Sequence, residues 1–442
     1  MRLKLFSHHK INEVFTPNTS AQLAYIERPD IESLFESNIN IPGRQIILYG
    51  HSGSGKTTLT RQVLNKYQLS SITSHCESQT TFEDLLINAF DQLGEFHISE
   101  YSSTNGSTIN SNVSGKTLGL QGSVTATSSI GTSERFIRTL PPQLTPQRLV
   151  NSLGKSSKIW IIEDFHKMES LEKKRLADIL KIFVDSANTY PKVKVICIGA
   201  VDTARELVEL DPNLSNRVSE LFVPLLSDDE IKSIIHRGCY ILNINMATSL
   251  VEKIVYYSNK LGALAHQMCY DICYSNKITK SKYITQKLDD GKFKDAVEAY
   301  IRTNSDTFKA VYDSTAKDKA TWYILKTIIN SGKDGLNTSE IYSRAKGKRQ
   351  SFTFNQVKET LEVLCSPNYN ILRYDANSLK YSLSTPFWGA FLKMQFAIEK
   401  AEKQKAENNK HNFHLNLIDQ NDIYADVYRA LLNSLKYIKE SQ

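Results

Sequence analysis

Residues 45–58, QIILYGHSGSGKTT, constrain the fold of this chain more than any other stretch. An apolar run ends in a turn with the spacing G-x-x-x-x-G-K-[ST], which begins at Gly50 and ends at Thr57. The glycines let the backbone curl, so that successive N–H groups point at phosphate oxygens. The stretch predicts a strand, a phosphate-binding loop (the P-loop) and a helix. The predicted nucleotide-binding residues of the P-loop are Gly50, His51, Ser52, Gly53, Ser54, Gly55, Lys56, Thr57 and Thr58.

Two side chains of the P-loop carry the predicted chemistry. Lys56 reaches the β- and γ-phosphates, and the hydroxyl of Thr57 is placed to coordinate Mg²⁺. The helix that follows puts the positive end of its dipole under the phosphates. The sequence therefore predicts ATP and Mg²⁺ as cofactors.

A second motif lies about a hundred residues further on, where the apolar run KIWII at 158–162 is followed by Glu163 and Asp164. A buried strand delivers such carboxylates to the carboxyl edge of the sheet, beside the P-loop. By position Glu163 takes the metal-binding role and Asp164 the role of catalytic base. The usual order is Asp followed by Glu or Asp, and Glu in first place is a departure. An ATP-binding scaffold without turnover therefore stays open as an alternative to a slow ATPase.

Composition limits the class of protein. A length of 442 residues predicts two to three domains. No run of eighteen apolar residues occurs, and the first fifteen residues lack the apolar core of a secretory signal, so no membrane contact is expected. The six cysteines are scattered, which favours buried thiols and a cytoplasmic location. A net charge of +7 permits contact with nucleic acid without requiring it.

The chain divides into units by composition and periodicity. Up to residue 226, strand-like runs alternate with amphipathic helices, which predicts an α/β domain with a parallel sheet of five strands. After Ser227 the pattern turns helical. The predicted units are a P-loop core at 1–226, a helical lid at 227–285, a linking helix at 286–315, a winged helix at 316–400 and a helical tail at 401–442.

The P-loop core carries an insertion at 102–133, where most residues are Ser, Thr, Asn or Gly. An insertion of this length is unusual in a compact domain. Residues 117–125 alternate between apolar and small polar side chains. Two interpretations stay open, a hairpin arm that reaches toward a partner and a flexible surface loop.

The predicted winged helix consists of three helices and two strands, at 371–374 and 380–383. The Lys and Arg side chains of this unit could contact the phosphates of DNA. However, the third helix, which would enter a DNA groove, carries the acidic residues Glu359 and Glu362. Contact with a partner protein is therefore placed slightly ahead of contact with DNA. The cations are Arg344, Lys346, Lys348, Arg349, Lys358, Arg373 and Lys380.

The P-loop, the carboxylate strand and the stretches at 213–218 and 226–231 together resemble the AAA+ superfamily. Within it the chain is similar to archaeal-type replication-initiator ATPases and to prokaryotic STAND ATPases. The resemblance covers residues 25–395, although only the P-loop is a highly specific motif. It implies an ATP-dependent switch that controls self-assembly or an effector protein, as in bacterial defence modules. The alternative it implies is a DNA-binding ATPase of the initiator or transposition type.

The same resemblance assigns two further residues. Arg217 matches the arginine that reaches the γ-phosphate of a neighbouring subunit, which implies a homo-oligomer; the alternative is a surface or salt-bridged arginine.

The third lid helix of the family carries a sensor arginine, but residues 261–266 read LGALAH and contain none. His266 is then the candidate phosphate contact, and a half-buried structural histidine is the alternative.

Overall fold

The computed structural model describes residues 8–94, 145–200, 214, 216–315, 319–331, 335–346 and 353–407. The insertion predicted at 102–133 lies outside the described residues. So do Lys348, Arg349 and the part of the predicted tail beyond residue 407.

A five-stranded parallel sheet forms the centre of the first unit, as predicted, with the order β2-β3-β4-β1-β5. Strands β1 and β4 are buried almost throughout, because helices cover both faces of the sheet. Alternate residues point to opposite faces. The strands are β1 (Gln45–Tyr49), β2 (Ser70–His75), β3 (Lys158–Glu163), β4 (Val195–Gly199) and β5 (Val218–Phe222).

Two apolar cores lie on the two faces of this sheet. One joins Ile46 and Leu48 of β1 to Phe35 and Leu59, and the other joins Ile47 to helices on the opposite side. The helices on the first face are α2 (Pro29–Asn40) and α3 (Lys56–Lys66), which follow the short helix α1 (Ile11–Val14). Those on the second face are α4 (Phe82–Leu93), α5 (Pro146–Ser156) and α6 (Ser170–Asp185).

Three helices follow the sheet, in the segment for which a helical lid is predicted. They are α7 (Asp228–Leu242), α8 (Thr248–Ser258) and α9 (Gly262–Ser275). The first begins at a capping box in which Ser227 and Glu230 exchange hydrogen bonds. Two short parallel strands, β6 (Ile244–Met246) and β7 (Gln286–Leu288), were not predicted. They tie the end of α7 to the segment that follows α9.

The linking segment is not the single helix that the sequence predicts. It consists of α10 (Phe293–Thr303), one π-helical turn (Ser305–Lys309) and α11 (Ala310–Thr315). The interruption falls at Asn304, whose carbonyl accepts from the N–H groups of both Phe308 and Lys309. Its side-chain amide donates to the carbonyl of Tyr300, so the helical ladder is re-satisfied locally.

The C-terminal unit has the predicted order of three helices and a hairpin. These elements are α12 (Lys319–Ile329), α13 (Thr338–Lys346), α14 (Phe354–Cys365), β8 (Leu372–Asp375) and β9 (Lys380–Leu383). The strands pair antiparallel, and Leu336 forms an isolated bridge with Tyr381. The winged-helix interpretation of this unit stays a prediction.

The last described helix, α15 (Pro386–Glu407), extends beyond the predicted end at residue 399. Its aromatic residues join the lid and the C-terminal unit into one continuous core, in which Phe308 packs against Trp388 and Phe391. No described helix has the length and apolar content that crossing a bilayer requires.

Candidate functional site

The P-loop connects β1 to α3 at the carboxyl edge of the sheet. At Gly50 a β-carbon would come within 2.3 Å of the carbonyl oxygen of Val223, so only glycine fits. Ser54 has a buried hydroxyl without a hydrogen-bond partner among the described residues. A buried polar atom of this kind calls for a partner, and a nucleotide phosphate in the loop would supply one. Ser52 is exposed and Thr58 is half-buried on the same turn.

The side chain of Lys56 folds back onto the P-loop. Its ammonium group donates to the carbonyl oxygens of Gly50 and His51, both at 2.9 Å. Burial lowers the pKa of Lys56, and the nearby carboxylates of Asp164 and Glu163 oppose that shift. The cation and both carboxylates predicted from sequence are therefore brought together at this edge.

The Thr57 hydroxyl donates to Oε2 of Glu163 at 2.9 Å, which joins the P-loop to the end of β3. A hydroxyl and a carboxylate are the protein ligands that Mg²⁺ uses when phosphates supply the remaining oxygens. Among the described residues no cluster of three or more His, Cys, Asp or Glu side chains could hold a metal by itself. The donor set fits Mg²⁺ bound together with ATP, where the ion would neutralise charge on the phosphates.

Asp164 has a left-handed backbone, with φ 60° and ψ 29°, directly after β3. That conformation costs roughly 1–2 kcal/mol for a residue other than glycine, and such strain clusters at functional sites. The carboxylate pairs with the ammonium group of Lys167 at 2.7 Å, and both side chains are about half exposed. One oxygen of the predicted base, Oδ2, is therefore engaged in an ion pair at the surface.

His166 is a residue of this edge that the sequence did not single out. Its Nδ1 is buried and has no hydrogen-bond partner among the described residues. Burial lowers the pKa of the imidazole, and the charge of Asp164 opposes that shift. The signal that could have found it is its position two residues after the candidate base.

Arg28, which also escaped sequence reasoning, joins three elements around the P-loop. Its guanidinium donates to the carbonyl oxygens of Ser54 at 3.4 Å and Pro224 at 3.0 Å. It also pairs with Glu230 at 2.9 Å. Burial works to raise the pKa of Glu230, but hydrogen bonds from Ser227 and the charge of Arg28 outweigh it and lower the pKa. The P-loop, the end of β5 and the first lid helix are thus held by one buried cation.

The turn between α8 and α9 reaches the P-loop from the lid. Asn259 and Lys260 both have left-handed backbones, with φ of 49° and 66°. The turn places Leu261 so close that a β-carbon on Gly53 would lie 2.6 Å from its Cδ2. The same β-carbon would lie 3.2 Å from the ring of Phe387, on the first turn of α15. The P-loop therefore touches both the lid and the C-terminal unit.

Arg217 lies at the start of β5, where its carbonyl accepts from the N–H of Gln45. This is the amino edge of the parallel sheet, opposite the P-loop, so Arg217 cannot reach the phosphates of its own subunit. Its guanidinium forms an exposed ion pair with Asp185 at 3.3 Å. Action on a neighbouring subunit stays a prediction, and the salt-bridged alternative is the arrangement seen in this chain.

The phosphate contact predicted for His266 is not what the structure shows. The side chain is only 3% exposed, and its Nδ1 accepts a hydrogen bond from the N–H of Thr16 at 3.1 Å. The ring lies edge-on to Phe15, and burial lowers its pKa to about 4. His266 is therefore a neutral residue that ties the N-terminal segment to the lid.

Part of the first unit is similar to a known protein family. Residues 42–207 match the family described as AAA domain. They span β1 to the residues just after β4, including the P-loop and both carboxylates. This part of the chain is thus similar to an AAA domain, which supports ATP binding at the P-loop. No curated protein matches the chain.

Several solved structures are similar over most of the chain. The Walker-type ATPase paby2304 of Pyrococcus abyssi has a TM-score of 0.48 at 14% identity, over 84% of this chain and 96% of that one. The Aeropyrum pernix ORC2 protein, in ADPNP–ADP complexes, has a TM-score of 0.48 at 12% identity, over 89% and 98%. The Aeropyrum pernix ORC1 protein in complex with DNA has a TM-score of 0.41 at 12% identity, over 91% and 100%.

Proposed function

We propose that this chain is an ATP-dependent molecular switch, in which the nucleotide at the P-loop sets the position of the C-terminal unit. The observation that carries the proposal is the contact of Gly53 with both Leu261 and Phe387. Through that contact the switch controls self-assembly or an effector protein. The resemblance to STAND ATPases adds a bacterial defence system as the proposed setting.

Nucleotide binding must change the contacts of Lys56. Its hydrogen bonds to Gly50 and His51 must be exchanged for phosphate oxygens when a nucleotide binds. On one side of Gly53 a rearranging loop would meet the side chains of Leu261 and Phe387, from the lid and from α15. Nucleotide binding and the placement of α15 are therefore coupled, and such couplings amount to roughly 1–3 kcal/mol.

The turn at Asn259 extends the coupling to the C-terminal unit. Its side-chain amide donates to the carbonyl oxygen of Pro386 at 2.8 Å, at the start of α15. The next residue, Lys260, accepts from the N–H of Leu226 at 3.2 Å. This one turn thus contacts the P-loop, the segment that follows β5 and the start of α15.

Slow ATP hydrolysis is the second part of the proposal. Glu163 and Thr57 would hold Mg²⁺, and Asp164 would orient the attacking water once it leaves Lys167. Arg217 would act on the γ-phosphate of a neighbouring subunit in a homo-oligomer. The ion pair between Asp164 and Lys167 supports a low basal rate, because the base is engaged in the resting chain.

A partner protein suits the C-terminal unit better than DNA does. Helix α14 exposes Phe354 and Val363, at 41% and 48%, beside the exposed Glu359. On the same helix Lys358 is 4.0 Å from Glu362, so its cation is partly neutralised. A helix with exposed apolar and acidic residues repels phosphates and favours a protein surface.

The test replaces Phe387 by Ala and measures affinity for a fluorescent ATP analogue, with Phe354→Ala as the matched control on the same unit. Because Phe387 lies against the P-loop at Gly53, its removal is expected to tighten binding about fivefold to tenfold. Phe354→Ala is expected to leave affinity unchanged. Equal affinities for the two variants and the wild type would overturn the switch while leaving ATP binding itself intact.

A further inference from the structure

The outer edge of the lid carries a cluster of exposed basic and apolar side chains. We call it the lid strip, and it consists of Lys10, Lys277, Lys280, Lys282, Tyr283 and Ile284. All six residues are exposed, with Tyr283 at 73% and Ile284 at 82%. Two large apolar side chains, Tyr283 and Ile284, are thus exposed side by side among several lysines.

Backbone pairing assembles the lid strip from two distant segments. The N–H of Ile11 donates to the carbonyl of Thr279 at 3.0 Å, and the N–H of Ser281 donates to the carbonyl of His9 at 2.9 Å. Ser281 is 1% exposed and faces inward. Because side chains alternate along an extended segment, Lys280 and Lys282 both face outward.

Lys10 lies directly opposite Lys280 in an antiparallel bridge. Like charges in that position destabilise a strand pair. Residues 272–288 contain four lysines and no acidic residue. None of those lysines forms an ion pair within the part of the chain that the structure describes. The strip therefore concentrates positive charge that a polyanion would neutralise.

Three acidic side chains on the adjoining segments have other hydrogen-bond partners. Asp290 accepts from Lys253 at 2.8 Å, and Glu13 accepts from the backbone N–H of Lys10 at 3.0 Å. Asp271 is hydrogen-bonded to Gln267 at 2.9 Å. None of these contacts neutralises the lysine ammonium groups of the lid strip.

The tip of the strip is held in a fixed shape. The side-chain amide of Asn243 donates to the carbonyl oxygens of Lys282 at 2.8 Å and Tyr283 at 2.9 Å. The Tyr283 ring also lies edge-on to His8, with centroids 5.8 Å apart. The ring is thus presented to solvent by a pre-organised turn, which lowers the entropy cost of binding.

We propose that the lid strip binds single-stranded nucleic acid, with the lysines on the phosphates and Tyr283 stacked on a base. Lysines that follow a backbone and an exposed aromatic ring are the two parts of such sites. A major groove admits a helix or a two-stranded ribbon, whereas the described residues of the strip form only an isolated bridge between Lys10 and Lys280, so the strip is not suited to read a duplex. Its two apolar side chains fall short of the apolar face by which amphipathic helices enter membranes.

The first arm of the experiment measures fluorescence anisotropy of a labelled oligothymidine of about 16 nucleotides, at several salt concentrations, with the full chain. The variant Lys280→Glu with Lys282→Glu is expected to weaken binding at least tenfold. Two lost phosphate contacts should also flatten the slope of log K against log salt by about 1.4. The control, Lys155→Glu with Lys192→Glu, changes the net charge equally at exposed positions of the first unit and should stay within twofold of the wild type.

The second arm separates stacking from charge. Tyr283→Ala is expected to weaken binding about tenfold, whereas Tyr283→Phe keeps the ring and should bind as the wild type does. Thermal melts of all variants check that they fold. Failure of the wild type to bind, equal losses in the strip and control variants, equal competition by duplex, or binding to anionic vesicles in place of the oligonucleotide would each overturn the proposal.

Discussion

The P-loop is contacted from two sides, and the chain specifies the two contacts differently. On the sheet side, the hydroxyl of Thr57, at the start of α3, donates a hydrogen bond to Glu163, at the end of β3. On the other side, Gly53 lies against Leu261 and Phe387, which come from the lid and from the last described helix. The first contact follows from motif spacing and strand direction. The second follows only from tertiary packing. The proposed catalytic residues therefore lie in short sequence motifs, whereas the residues proposed to control them are far apart in the sequence.

The largest expected effect is a loss of ATP affinity on the sheet side of the P-loop. Lys56→Ala removes the phosphate cation from a half-exposed loop, so ATP affinity should fall at least a hundredfold while the fold is retained. Calorimetric titration with ATP and a thermal melt measure the two quantities. Unchanged affinity would contradict the assignment of the P-loop.

Asp164→Asn tests the base on the same side. The amide keeps the shape but loses the charge that orients water, so phosphate release should fall about a hundredfold while ATP stays bound. Lys167→Ala is the paired variant, because it frees the carboxylate from its ion pair. It should raise turnover or leave it unchanged. Normal turnover in Asp164→Asn would show that another group is the base.

The packing of the lid can be tested by varying the pH, because His266 is buried there as a neutral imidazole. The folded chain keeps this imidazole neutral to about pH 4, whereas the unfolded chain protonates it near 6.5. The unfolded state therefore binds more protons in that window, and stability falls as the pH is lowered through it. The expected loss between pH 7 and pH 5 is about 2 kcal/mol.

Urea unfolding at the two pH values measures this loss. His266→Asn keeps an acceptor for the N–H of Thr16 without a titrating ring, and should remove most of the pH dependence. A variant that keeps the full pH dependence would assign the loss to other groups.

The smallest expected effect concerns Arg217, which lies far from both contacts. If it acts on a neighbouring subunit, Arg217→Ala should lower turnover, and mixing it with Lys56→Ala should restore part of the activity. The mixture combines an intact finger with an intact P-loop at one interface. Without recovery in the mixture, Arg217 is better explained by its ion pair with Asp185.

The sequence predicted those features of the fold that depend on residues close together in the chain. The spacing at Gly50 and Lys56, and the carboxylates after an apolar run, were enough to predict which side chains meet at the sheet edge. Strands β6 and β7 escaped prediction because each has three residues and the pair is separated by about forty. The break at Asn304 depends on one side-chain hydrogen bond inside an otherwise regular helical pattern.

The misassigned or missed site residues share one physical cause. The position of His266 in a motif suggested a phosphate contact, but burial against Phe15 decides its role. Arg28 and Phe387 carry no local signal, since their partners lie in other elements. Side chains whose roles depend on long-range packing cannot be found from periodicity or spacing.

The most direct test of the central claim is hydrogen exchange at the start of α15, residues 386–391, with and without ATP. Coupling through Gly53 predicts that ATP changes amide protection there in the wild type, and that Lys56→Ala and Phe387→Ala both abolish the change. Protection of β1 and α3 near the P-loop should still respond to ATP in Phe387→Ala. An identical exchange pattern at 386–391 in the presence and absence of ATP, with ATP shown to be bound, would contradict the account.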